Sequence, residues 1–150
     1  MAFHFRYQRI LDIRELEEDQ EKTRFAEIQQ QLSAEKGKLR RDKQELQNIL
    51  SSEGQKRKKV TDVSNFLQLQ RYAKLLENRI SRQQKVVDSW QKKLDKQRQK
   101  LIEASQQRQV MEKLKENDYE EFQKEMLKEE ERQNNEIANQ QFFRDARRNA

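Results

Sequence analysis

The side chains with reactive potential in this 150-residue chain are few and scattered. His4 is the only histidine and there is no cysteine. No zinc-ligand set can be assembled from these, and an exposed or weakly packed role is expected of His4. Glu17, Glu18, Asp19 and Glu21 are close enough in sequence to hold a hard cation. Acids near the start of a helix also suit the positive end of its dipole, and we read these four as a solvated face. The run Lys56, Arg57, Lys58 and Lys59 offers charge to phosphate, but no aromatic residues alternate with it, so it reads as a solvated turn. Neither glycine opens a phosphate-cradling loop: Gly37 falls on the outer face of an expected helix, where it costs about 1 kcal/mol. Trp90 falls in an apolar seam and reads as core filling. Catalysis needs several reactive groups converging in a concave pocket, so no enzyme activity, cofactor or metal is expected.

Composition explains why such a pocket would be hard to build. Only 32% of the residues are hydrophobic and 40% are charged, too few apolar side chains for a thick globular core. With no proline and only Gly37 and Gly54 to interrupt it, a sequence rich in Glu, Lys, Gln, Arg and Leu favours long helices. No apolar run is long enough to cross a bilayer, and no signal-peptide core opens the chain. Residues 1–25 and 117–150 together carry net charge −4, whereas residues 26–116 carry +10. A chain that folds back on itself would therefore bring two acidic ends together.

Seven-residue steps identify the helices. Leu11, Glu18, Phe25, Leu32, Leu39 and Leu46 form one such row, and its companion includes Tyr7, Ile28 and Ile49 but also Arg14, Glu21, Glu35 and Asp42. Further on, Phe66, Ala73, Ile80, Val87, Leu94 and Leu101 form a row whose companion, Leu69, Leu76, Trp90, Ala104 and Met111, is broken only by Gln83 and Gln97. Heptads sustained this far specify a left-handed coiled coil. The expected fold is all-α: an antiparallel coiled-coil hairpin in a single domain spanning 1–150. Helix 1 covers about 3–50, a turn about 51–61 contains Gly54, and helix 2 covers about 62–140. Thr61, Asp62 or Ser64 would cap the second helix. Phe3 should lie near Met111, leaving a C-terminal helical overhang with Tyr119, Phe122 and Met126 as a weaker stripe.

The opening residues Phe3-His4-Phe5-Arg6-Tyr7-Gln8-Arg9-Ile10-Leu11-Asp12-Ile13-Arg14-Glu15 resemble the N-terminus of the flagellar FliJ family. The second helix resembles that family's most recognisable stretch through Phe66-Leu67-Gln68-Leu69-Gln70-Arg71-Tyr72, then Leu76, Ile80, Gln83, Val87, Leu94, Arg98, Leu101 and Ala104, and finally Met111-Glu112-Lys113-Leu114-Lys115-Glu116. The resemblance implies a non-enzymatic, cytoplasmic component of the flagellar type III export apparatus, at the inner-membrane face of the flagellar base. It implies a stalk in the central hole of the hexameric export ATPase, contact with the cytoplasmic domain of the export gate, and escort of export chaperones. Nucleic acid and direct membrane insertion are not expected. The alternatives are a structural spacer or tether and, behind it, a nucleic-acid-binding helical arm, whose affinity would fall steeply with salt.

Two faces are candidates for these contacts. On a helical wheel Phe3, Tyr7 and Leu11 point along the seam, whereas Phe5, Ile13 and Leu16 point nearly opposite. With Arg6, Arg9 and Arg14 beside them, they make the expected ATPase-ring face; the alternative cover is the chain's own overhang, folding Tyr119, Phe122 or Phe142 back onto them. Tyr72, Leu76, Arg79 and Gln83 step by four, three and four residues along the second helix and make the expected export-gate face, partly exposed beside the seam.

Overall fold

The computed structural model describes residues 2–56 and 63–149. They form two helices, α1 (Gln8–Lys56) and α2 (Val63–Arg148), packed against each other as an all-α hairpin. The residues divide into a terminal unit, Met1–Glu18 with Ala104–Ala150, and a middle unit, Asp19–Glu103.

The apolar heptads make the core of the middle unit. Leu32 and Leu39 of α1 and Val87 and Leu94 of α2 are buried together, with Phe25, Ile28, Ile80 and Trp90 packed around them. Trp90 also carries the Lys93 ammonium 4.3 Å from its ring centroid. Leu76 is the most deeply buried large side chain, at 0% exposure.

The pairing is antiparallel, and its register is written in polar contacts. The Gln83 amide donates to the Glu35 backbone carbonyl at 3.1 Å and to the Glu35 carboxylate. Two heptads further along α2 and two heptads back along α1, the Gln97 amide does the same to Glu21, with 3.3 Å to the carbonyl. All four are residues that interrupt the seams in the sequence. Asp42, another interruption, meets Arg79 at 3.7 Å. In the terminal unit Glu18 is bonded to Arg108 of α2, and Arg14 donates to Gln107 at 3.1 Å. Interruptions of the α1 seam are thus met by polar groups on α2, so the helices stay in contact where the apolar rows fail.

Several expectations need correction. Glu18 is buried at 4% exposure and Glu21 is half-buried, so these two acids are rungs between the helices and not part of a solvated face, whereas Asp19 is exposed as expected. Helix α1 starts at Gln8, not Phe3. Residues 2–5 are non-helical, and a turn in which the Gln8 amide donates to the Phe5 carbonyl at 3.2 Å leads into the helix. At its other end α1 runs six residues past Leu50 and through Gly54, because one glycine costs a helix only about 1 kcal/mol among strong helix formers. Ser64 lies inside α2. The other expected caps, Thr61 and Asp62, and the basic run from Arg57 to Lys59 lie outside the described residues. The longer α1 shifts the pairing, and the extended N-terminal residues advance further per residue than a helix does. Phe3 therefore sits on Tyr119 and Phe122, with ring centroids 5.2 and 5.4 Å away, and not beside Met111. Helix α2 continues to Arg148, past the expected end near 140, with every described residue from Gln123 onward exposed. Gly37 sits within α1, where an added Cβ would meet nothing nearer than the Arg41 guanidinium at 4.0 Å.

Candidate functional site

The N-terminal face is built on the first turns of α1. Ile13 and Leu16 are exposed, at 46% and 58%, and Ile10 extends the same strip. Arg6 and Arg9 are exposed beside the strip, Arg6 lying over the Tyr7 ring at 5.6 Å. Arg14 is drawn toward the seam, bonded to Glu17 at 3.1 Å and to Gln107.

Phe5 does not join this face. It is buried at 7% exposure with its ring edge-on to Tyr7 at 5.9 Å, because residues 2–5 are not helical and the wheel does not apply to them. Tyr7, expected in the seam, lies in the turn that precedes α1 and is partly exposed. The α2 side of the terminal unit also turns apolar groups outward, at Val110 and Leu114. Sequence reasoning overlooked these two because they lie off the heptad rows, although their four-residue spacing puts them on one face.

The second face lies in the middle unit. Tyr72 donates its hydroxyl to Glu45 at 2.5 Å, and that bond to a carboxylate holds the phenol above its ordinary pKa. Arg79 lines a shallow groove with Lys38, Arg41, Asp42 and Gln83. Leu76, expected at a partly exposed edge, is wholly enclosed between the helices, whereas its neighbour Leu75 is 59% exposed. The outward surface here consists of Tyr72, Leu75 and Arg79, with Arg82 and Val86 continuing it.

The Gln83 contact has a consequence for pH. The amide donated by Gln83, and then the nearby Lys38, hold the Glu35 carboxyl below its ordinary pKa of 4.5. A carboxylate whose pKa is lower in the folded than in the unfolded state stabilises the fold above the unfolded value. That stabilisation is lost as pH falls through the folded value. Between about pH 5 and pH 3 the melting temperature of the wild type should therefore drop more steeply than that of Glu35→Gln. Parallel slopes in thermal melts over that range would show that the contact contributes nothing.

No group of three or more His, Cys, Asp or Glu among the described residues is arranged to hold a metal ion, and no described helix is long and apolar enough to cross a membrane. What the fold presents is an all-α hairpin with apolar strips and arginines on outward helix faces. The sequence profile described as Flagellar FliJ protein matches residues 3–147, and the chain belongs to that family. No curated protein matches the chain. No solved structure matches it either.

Proposed function

We propose that this chain is the stalk of flagellar type III protein export. It stands in the central opening of the hexameric export ATPase, touches the cytoplasmic domain of the export gate, and escorts export chaperones at the inner-membrane face of the flagellar base. Family membership supports the coarser statement, a component of the flagellar export apparatus. The finer reading rests on one observation. Within the terminal unit, apolar side chains face outward from both helices: Ile10, Ile13 and Leu16 from α1, Val110 and Leu114 from α2. A partner docking on one side covers one strip, whereas a ring that surrounds both helices covers both and recovers the burial each strip forgoes in water. A plain spacer has no use for either strip. ATP hydrolysis belongs to the ring. A hairpin has no sixfold symmetry, so it meets the six subunits unequally and can bias their assembly or turnover.

A pull-down from flagellated cells tests both faces at once. Ile13→Asp with Leu16→Glu should melt within a few degrees of the wild type and lose the ATPase while keeping the gate. Tyr72→Ala with Arg79→Ala should show the reverse. If the first pair instead lowers the melting temperature sharply, the chain itself buries that strip and the ring reading fails. If the second pair leaves gate capture unchanged, the gate face is misplaced.

A further inference from the structure

Beside its buried seam, α2 carries a second pair of seven-residue rows in the middle unit. Tyr72, Arg79 and Val86 make one and Leu75 and Arg82 the other, all of them outward-facing. The same two rows then continue through Ser89, Lys93, Lys96 and Lys100. The acids of residues 71–100 are Glu77, Asp88 and Asp95, and by the same spacing all three lie on the other flank of the helix. Charge is thus sorted by face, unlike a solvated surface where both signs mix. Helix α1 meets these rows with like charge: its Lys38 and Arg41 line a groove of about 260 Å³ with Arg79, Gln83 and Asp42. The acids nearest the groove are already engaged. Asp42 lies 3.7 Å from Arg79, Glu35 is bonded to Gln83 and Lys38, and Glu45 accepts the Tyr72 hydroxyl. Both walls therefore keep an excess of positive charge, and among the cations Leu75 and Val86 stand 59% and 38% exposed.

We propose that this groove is the docking site of an acidic amphipathic helix from a partner protein, which packs along α2 as a third strand. The cations select an anionic partner, and the apolar residues set its form. A phosphate backbone would answer Arg79 and Arg82 but leave Leu75 and Val86 in water. An acidic helix answers both, its carboxylates on the basic residues and its apolar row on the leucine and valine. The seven-residue spacing of the two rows is the repeat that a coiled-coil partner matches. From Tyr72 to Lys100 the rows run about 42 Å at about 1.5 Å per residue, enough to seat four heptads. The groove lies on the face assigned above to the export gate, and the inference rests on that reading for which protein carries the helix.

The probe is a synthetic four-heptad peptide with leucine at its two seam positions and glutamate on the flanks, labelled with fluorescein and titrated with the full chain at physiological salt. Anisotropy should report binding, and the same peptide with glutamine for glutamate should bind about tenfold more weakly. Arg79→Glu with Arg82→Glu should lose about tenfold and regain affinity for a peptide carrying lysine in place of glutamate. Lys36→Glu with Lys43→Glu makes the same charge change on exposed residues of α1 outside the groove, and should stay within about twofold. Leu75→Ser with Val86→Ser keeps every charge and should still lose about fivefold. Equal losses from the two charge reversals would show that the peptide reads only overall charge, and would overturn the site. Unchanged affinity in the serine pair, with the peptide displaced by single-stranded DNA or phosphatidylglycerol vesicles, would overturn the choice of a helix. No gate is present in this titration, so the two readings fail separately. Peptide binding as described, with gate capture unchanged in Tyr72→Ala with Arg79→Ala, would overturn the gate reading alone. Absent peptide binding, with gate capture lost in that pair, would overturn this inference alone.

Discussion

Replacing Leu76 with aspartate is expected to unfold the helix pair of the middle unit, the largest effect of any single change considered. Leu76 is wholly enclosed, so Leu76→Ala alone should cost about 3 kcal/mol through lost burial and the cavity left behind. Aspartate adds a charge that has neither water nor a cation, bringing the loss to about 4–5 kcal/mol. The control is the adjacent residue. Leu75 is largely exposed, and Leu75→Asp should change stability by no more than about 0.5 kcal/mol beyond the shared loss of helix propensity. Denaturant titration followed by circular dichroism separates the two, and equal midpoints would refute the packing described for α2. The contrast also bears on gate binding. If a partner reads this region through an apolar anchor, Leu75→Asp should weaken that contact without unfolding the chain.

The second large effect concerns specificity and carries the opposite sign for stability. Gln83→Leu combined with Gln97→Leu should raise the unfolding free energy, by about 1 kcal/mol or more for each site, and should cost the protein its single pairing register. In the wild type each glutamine amide reaches a backbone carbonyl and a carboxylate on α1, a contact that a shifted or parallel alignment cannot reproduce. With leucine there, Glu35 and Glu21 can turn to Lys38 and Arg24, which already lie 3.4 and 2.9 Å away, so little is left unsatisfied. The α2 seam would then be apolar without a break, and such seams accept other partners and other registers. Sedimentation equilibrium should show the variant associating at concentrations where the wild type keeps its mass. A variant that is more stable and unchanged in mass would show that the glutamines do not select the register.

Both expectations show where sequence reasoning succeeded and where it stopped. The rows through Leu32 and Leu39 on one helix and Val87 and Leu94 on the other were legible because a buried stripe must recur every seven residues whatever it packs against. The polar interruptions were legible only as defects. Each is half of a contact whose other half lies far along the chain, such as Gln83 with Glu35 or Arg108 with Glu18, and no local period links two such positions. The outward strip of Ile13 and Leu16 was visible in the sequence because both residues are helical. Phe5 was misassigned because the wheel was carried into residues that are not helical.

By itself, then, the sequence determined that this protein is two long helices with facing apolar rows, that it resembles the FliJ family, and that its basic and acidic segments are separate, since composition and period act residue by residue. Only the tertiary structure decided the register, the burial of Leu76 beside an exposed Leu75, and the seat of Phe3 on Tyr119 and Phe122. Those depend on where α1 ends and how far its unwound first residues reach, and a shift of a few residues there moves every contact between the helices.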